Sequence, residues 1–115
     1  MNAKLDKLLS SSCRQLDSQT TPLNLSQIEE LRQGVPQWQY CATENVLEQT
    51  FRFNNYRETI DFANLVANIA ETEDHHPDMV ISYNRCKVTY STHSIDGLSE
   101  NDFICAAKID QANGN

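Results

Sequence analysis

Apolar residues change their spacing along this chain, and each change marks a predicted element. In residues 1–21, Leu5, Leu8, Leu9 and Leu16 are separated by Ser10–Ser12 and Asp17–Thr21, so this polar stretch reads as a flexible tail. Leu25, Ile28 and Leu31 then recur at helical spacing. Ser26 and Glu29 have the form of a capping box, and Gly34 with Pro36 stops the run, which predicts a helix over Ser26–Gln33. Trp38–Cys41 and Val46–Phe53 read as strands; in the second, Leu47, Gln49, Phe51 and Phe53 alternate with Glu48, Thr50 and Arg52. Asn55 and Glu58 can cap the next helix, where Ile60, Phe62, Ala63, Leu65, Val66, Ile69 and Ala70 form a broad stripe over Tyr56–Thr72. That helix is expected to lie across the sheet as the main core element. Met79–Tyr83 and Lys87–Ser91 read as strands around an Asn84-Arg85 turn. Leu98–Asp102 opens a last helix to about Ile109, and residues 111–115 read as a polar tail.

Short turns between neighbouring strands imply antiparallel pairs, which predicts one α+β domain over residues 22–110 with its helices on one sheet face. A chain of 115 residues supports a single, modest core, so self-association is expected. The net charge of −7 repels phosphate backbones and anionic lipid, which argues against nucleic-acid and membrane partners. Residues 1–9 have no continuous apolar run of the secretory kind, so the expected location is the cytoplasm. Cys13, Cys41, Cys86 and Cys105 contain no C-x-x-C pair and read as free thiols.

The chemistry concentrates late in the chain. All three histidines fall between residues 75 and 93: His75 and His76 beside Glu73 and Asp74 at the exit of the long helix, and His93 after the last strand. A hairpin of the last two strands brings the start of one beside the end of the other, and so gathers the histidines. Imidazole titrates near neutrality and can give or take a proton at working pH. The competing readings are ordinary surface histidines, or an open three-histidine metal site. Adjacent histidines rarely chelate one ion together, which weighs against the metal. Asp102, three residues after Ser99, closes a capping box in the plainest reading.

His75-His76-Pro77, five residues, Tyr83, nine residues, His93, eight residues and Asp102 together resemble the signature of the pterin-4a-carbinolamine dehydratase family. The flanks agree: Trp38 before a strand, Phe51-x-Phe53, Ala67-x-x-Ala70-Glu71, and Ser91-Thr92-His93 ahead of Gly97-Leu98-Ser99-Glu100-x-Asp102. The resemblance spans about Leu25–Ile109. It implies a four-stranded antiparallel sheet backed by three helices, assembled as a homodimer or homotetramer. It also implies dehydration of 4a-hydroxytetrahydropterin, the product of aromatic amino-acid hydroxylases, with neither metal nor organic cofactor. Residue by residue, it makes His75 and His93 the acid and base, has His76 hold the pterin, and sets Asp102 to orient His93. Glu73, Asp74, Pro77, Met79, Tyr83, Ser91 and Thr92 become candidate substrate contacts. Many members carry Trp where this chain has Met79, a softer apolar wall that bears on affinity more than on reaction type. Some relatives also serve as dimerisation partners of a transcription factor, so an interaction role is the alternative. A dehydratase-fold protein acting on another pterin is a third reading.

Overall fold

The computed structural model describes residues 2–114; Met1 and Asn115, the outermost residues of the two expected tails, lie outside the described residues. In chain order the elements are α1 (Ala3–Leu9), α2 (Leu25–Arg32), β1 (Gln39–Cys41), β2 (Val46–Arg52), α3 (Tyr56–Glu73), β3 (Asp78–Ile81), β4 (Arg85–Tyr90) and α4 (Glu100–Ala112). A single 3-10 turn, His93–Ile95, separates β4 from α4.

Alternation along β2 and β4 dictates the layering. The antiparallel sheet has the order β1-β2-β4-β3, and its register sets Leu47 opposite Tyr90, Gln49 opposite Val88, and Phe51 opposite Cys86. Met79 pairs with Val88 on the same face. The helices cover that apolar face, whereas Glu48, Thr50, Arg52, Lys87 and Thr89 stand on the polar, open one. The expected α+β class and four-stranded antiparallel sheet are therefore observed, with four α-helices in place of three.

Four expectations are corrected. Part of the anticipated N-terminal tail is structured: Asn2 caps α1, and Leu8 is buried in the core beside Gly34, where a Cβ would come within 2.9 Å of the leucine methyl. Leu5 and Leu9 pack on the same cluster, so the leucines that looked interrupted in sequence find their partners in the rest of the fold. The cap of α2 lies two residues earlier than expected. Asn24 accepts the Gln27 amide and Gln27 reaches back to the Asn24 amide, both at 2.9 Å, which leaves Ser26 and Glu29 inside the helix. The central helix is α4 and not α3: nine of its 13 residues are buried, against five of 18 in α3. It also runs to Ala112, through residues read as tail.

Trp38 belongs to this core. It is fully buried and stacks edge-on to Phe51 at 5.8 Å, and its indole N–H donates to Asp110 at 3.0 Å. Gln49 donates to the same carboxylate at 3.3 Å, which explains a polar residue on the inward face of β2. Burial pushes the Asp110 pKa up, while the Trp38 and Gln49 donors pull against it. No helix among the described residues is long and apolar enough to cross a membrane.

The docking of α1 has a measurable consequence. Leu8→Ala removes a side chain that is 4% exposed, and urea unfolding should show a loss of about 2–4 kcal/mol. A change within about 0.5 kcal/mol, the size expected of a surface position, would mean that α1 is not docked.

Candidate active site

The site begins where α3 ends. Asp74 takes the left-handed conformation (φ 52°) that an aspartate tolerates, and the His75 amide turns back to the Ala70 carbonyl at 3.0 Å. This closure points the His75 ring at the first turn of α4. There, His75 Nε2 lies 2.6 Å from Asp102 Oδ1, with the histidine side chain 12% exposed and the carboxylate wholly buried. Tyr90 stacks against the imidazole at a 5.2 Å centroid separation, and its hydroxyl donates to the His75 carbonyl at 3.2 Å.

Asp102 is held from several sides at once. Its Oδ2 accepts the Ser99 amide at 3.0 Å and the Thr92 hydroxyl at 2.9 Å; the Thr92 and Ser99 hydroxyls meet at 2.7 Å. The capping box anticipated for Ser99 and Asp102 is present. The histidine that Asp102 orients is His75, however, and not His93 as the resemblance had implied. The reason is geometric: the first turn of α4 faces the end of α3, while His93 sits in the 3-10 turn and is exposed.

Burial opposes charge on His75, but the hydrogen bond and negative charge of Asp102 outweigh it, so the His75 pKa is raised. The ring is thus biased toward imidazolium. Its Nε2–H is committed to Asp102, and Nδ1 has no protein partner among the described residues.

Two cavities meet at Thr92. One, of about 310 Å³, is lined by His75, Glu73, Asp74, Thr92, Ser94 and Asn101, together with Cys13–Leu16. The other, of about 220 Å³, is lined by His93, Ser91, Thr92, Asp78, Asp96, Gly97 and Glu44–Val46. Gly97 is required there, because a Cβ would stand 2.8 Å from Pro22. His75 and His93 therefore occupy adjoining hollows with a threonine between them.

The other expected contacts fall elsewhere. His76 is exposed and pairs with Glu71 at 2.5 Å. His76, Pro77, Met79 and Tyr83 line neither cavity. Met79 packs on the core from the helix-facing side of β3, and Tyr83 lies past the far end of that strand, largely in solvent. Among the described residues, no group of three His, Cys, Asp or Glu side chains is placed to hold a metal ion.

The sequence did not mark Tyr90, Asn101 or the strap at residues 13–16. Asn101 clamps that strap: Arg14 N–H donates to its side-chain oxygen at 3.1 Å, and its amide donates to the Arg14 carbonyl at 2.7 Å. Glu73 accepts the Cys13 amide at 2.8 Å and pairs with Lys108 at 3.0 Å. Burial of Glu73 works against its charge, yet these two partners hold its pKa below the usual value.

The arrangement defines a small α+β protein with a carboxylate-anchored imidazole at a polar cavity, suited to proton transfer. Comparison with known proteins gives it a family. A family model described as "Pterin 4 alpha carbinolamine dehydratase" matches residues 21–112. Proteins named "Putative pterin-4-alpha-carbinolamine dehydratase" are similar throughout. That of Nitrosospira multiformis is 44% identical over 110 residues, 96% of each chain. That of Nitrosomonas eutropha is 46% identical over 104 residues, 90% of each. The chain belongs to the pterin-4-alpha-carbinolamine dehydratase family.

Solved structures agree on the fold. The Brucella melitensis protein named transcriptional coactivator/pterin dehydratase superposes with a TM-score of 0.77 at 31% identity, covering 82% of this chain and all of that one. A pterin dehydratase-like protein identified as a RuBisCO assembly factor in the alpha-carboxysome superposes with a TM-score of 0.59 at 23% identity, covering 68% and 90%. This second likeness speaks to the fold alone.

The His75–Asp102 pair makes stability depend on pH in a defined direction. The folded-state pKa of His75 lies above its unfolded value of about 6.5, so the contribution is complete below that pH. It is lost as pH rises through the folded value. Urea unfolding across that window should show this decline in the wild type, and His75→Gln should flatten it. An NMR titration that places His75 below about 6.5 would contradict the assignment.

Proposed function

We propose that this protein removes water from a 4a-hydroxytetrahydropterin to give the quinonoid dihydropterin, with His75 as the acid. The observation that supports this most is the buried Asp102–His75 pair on a cavity of about 310 Å³, close to the lower end of small-molecule sites at roughly 300 Å³. Dehydration of a carbinolamine needs two proton transfers. One protonates the C4a hydroxyl so that it leaves as water, and the other takes the proton from N5 as the C4a–N5 double bond forms. An imidazolium whose Nε2–H is tied to a carboxylate presents Nδ1–H for the first task.

In this reading His93, across Thr92 from His75, takes the N5 proton. Glu73, Asp74, Ser91 and Thr92 offer polar contacts to the ring, while the pterin-holding role of His76 rests on the family resemblance alone, since His76 pairs with Glu71 outside both cavities. Met79, Pro77 and Tyr83 then act at most through the shape of the surroundings. The chemistry needs proton transfer alone, so no metal or organic cofactor enters the scheme. The natural setting we propose is cytoplasmic recycling of a tetrahydropterin for an aromatic amino-acid hydroxylase, by a homodimer or homotetramer.

A second reading draws on the printed name of the Brucella melitensis protein, which couples pterin dehydratase with transcriptional coactivator. A role in binding another protein would use surface away from His75 and would survive its replacement. That separates the two readings.

The test is the rate at which 4a-hydroxytetrahydropterin, generated by a hydroxylase, disappears with and without added protein. Acceleration should survive a chelator. His75→Gln and His93→Ala should each lower turnover by roughly 10²-fold or more, the size typical of losing a general acid or base, with the fold intact by circular dichroism. Near wild-type turnover in both variants would remove the assignment, and loss of activity with chelator would restore the three-histidine metal site.

A further inference from the structure

The wall of the His75 cavity contains a second reactive group. Cys13 lies on the strap at residues 13–16, half-buried, and Cys105 lies wholly buried on α4, one turn beyond Asp102. Their sulfurs are 3.6 Å apart, and the Cys13 thiol also reaches the Asn101 carbonyl at 3.5 Å. Thiols read as unrelated in the sequence, 92 residues apart, are thus in direct contact.

Their surroundings act on the two thiols in opposite directions. The Cys13 contact, the Tyr90 hydroxyl and the charge of His75 lower the Cys105 pKa against the opposing effect of burial. The Cys13 pKa is raised, first by sharing its hydrogen with Cys105. The raised pKa slows Cys13 as a nucleophile, but Cys13 is the sulfur open to the cavity, while Cys105 is wholly buried.

We propose that Cys13 and Cys105 are a reversible disulfide site that ties residues 13–16 over the cavity of His75. A low-molecular-weight disulfide is the oxidant. The Cys13 sulfur attacks it, forming a mixed disulfide and expelling one small thiolate, which takes up the proton from Cys13. The Cys105 sulfur then attacks the Cys13 sulfur and expels the second small thiolate, which takes up the proton from Cys105. The protein gives up two electrons and two protons, and the small disulfide becomes two thiols. The sulfurs must close from 3.6 Å to about 2.05 Å, a shift of the strap against its hydrogen bonds to Asn101 and Glu73 and the packing of Cys13 on the core.

The consequence concerns access. In the reduced protein those hydrogen bonds can open and let the strap lift from His75. A covalent tie to α4 prevents this, so oxidation slows the approach of small molecules to the imidazole.

The test treats the native protein with oxidised glutathione and maps the products by mass spectrometry. The expected product has lost two hydrogens and contains a Cys13–Cys105 cross-linked peptide that a dithiol reductant reverses. Cys13→Ser and Cys105→Ser should each abolish it, and Cys86→Ser should not; Cys13→Ser carries the control if the buried variant fails to fold. Diethyl pyrocarbonate should then modify His75 several-fold more slowly in the oxidised form, with exposed His93 unchanged. Glutathione retained on Cys13 without the internal link, or equal labelling of His75 in both forms, would overturn the proposal. Neither readout uses turnover, so failure here is distinct from failure of the dehydratase reading.

Discussion

The buried carboxylate of Asp102 is the constraint on which the rest of the site depends. A charge with no solvent exposure is tolerable only when its oxygens are fully engaged, and here the partners come from three elements. Ser99 supplies the helix cap, Thr92 the turn after β4, and His75 the exit of α3. Satisfying one carboxylate therefore fixes the end of the long helix, the end of the hairpin and the start of the central helix relative to each other. The imidazole gains its position and its bias toward the charged form from the same contact.

The strap at residues 13–16 extends this arrangement to the outside. Asn101, next to Asp102 on α4, clamps Arg14 through both its amide atoms, and Glu73 anchors Cys13 from the side of α3. The elements that position His75 thus also hold the segment that shares its cavity. Stability, access and proton affinity at the site share one set of contacts, and α4 carries most of them.

Much of the frame was legible in the sequence because it rests on local rules. The alternation of Leu47, Phe51 and their polar neighbours predicted which face of β2 is buried, and Asn55 does cap α3. The histidine motif led to the family. What escaped was tertiary. Helix α4 is buried almost all round, so it has no amphipathic stripe to distinguish it, and α3 looked more central than it is. Leu8 and Cys13 seemed to belong to a tail because their partners, Gly34 and Cys105, lie far along the chain. Spacing gave Asp102 only a helix cap, and the family resemblance set it to orient His93; the closure of α3 at Asp74 decides that it meets His75. Tyr83 fits the family motif, yet it stands at the wrong end of β3 to reach either cavity.

The central claim is that Asp102 holds His75 as the protonated acid. The measurement that tests it most directly is the pH dependence of kcat for dehydration in the wild type and in Asp102→Asn, with folding of the variant checked independently. The account predicts an alkaline limb that reports loss of the His75 proton and moves to lower pH when the carboxylate is replaced. A limb that stays at the same pH in the variant would show that the acid in this reaction is some group other than the histidine Asp102 holds.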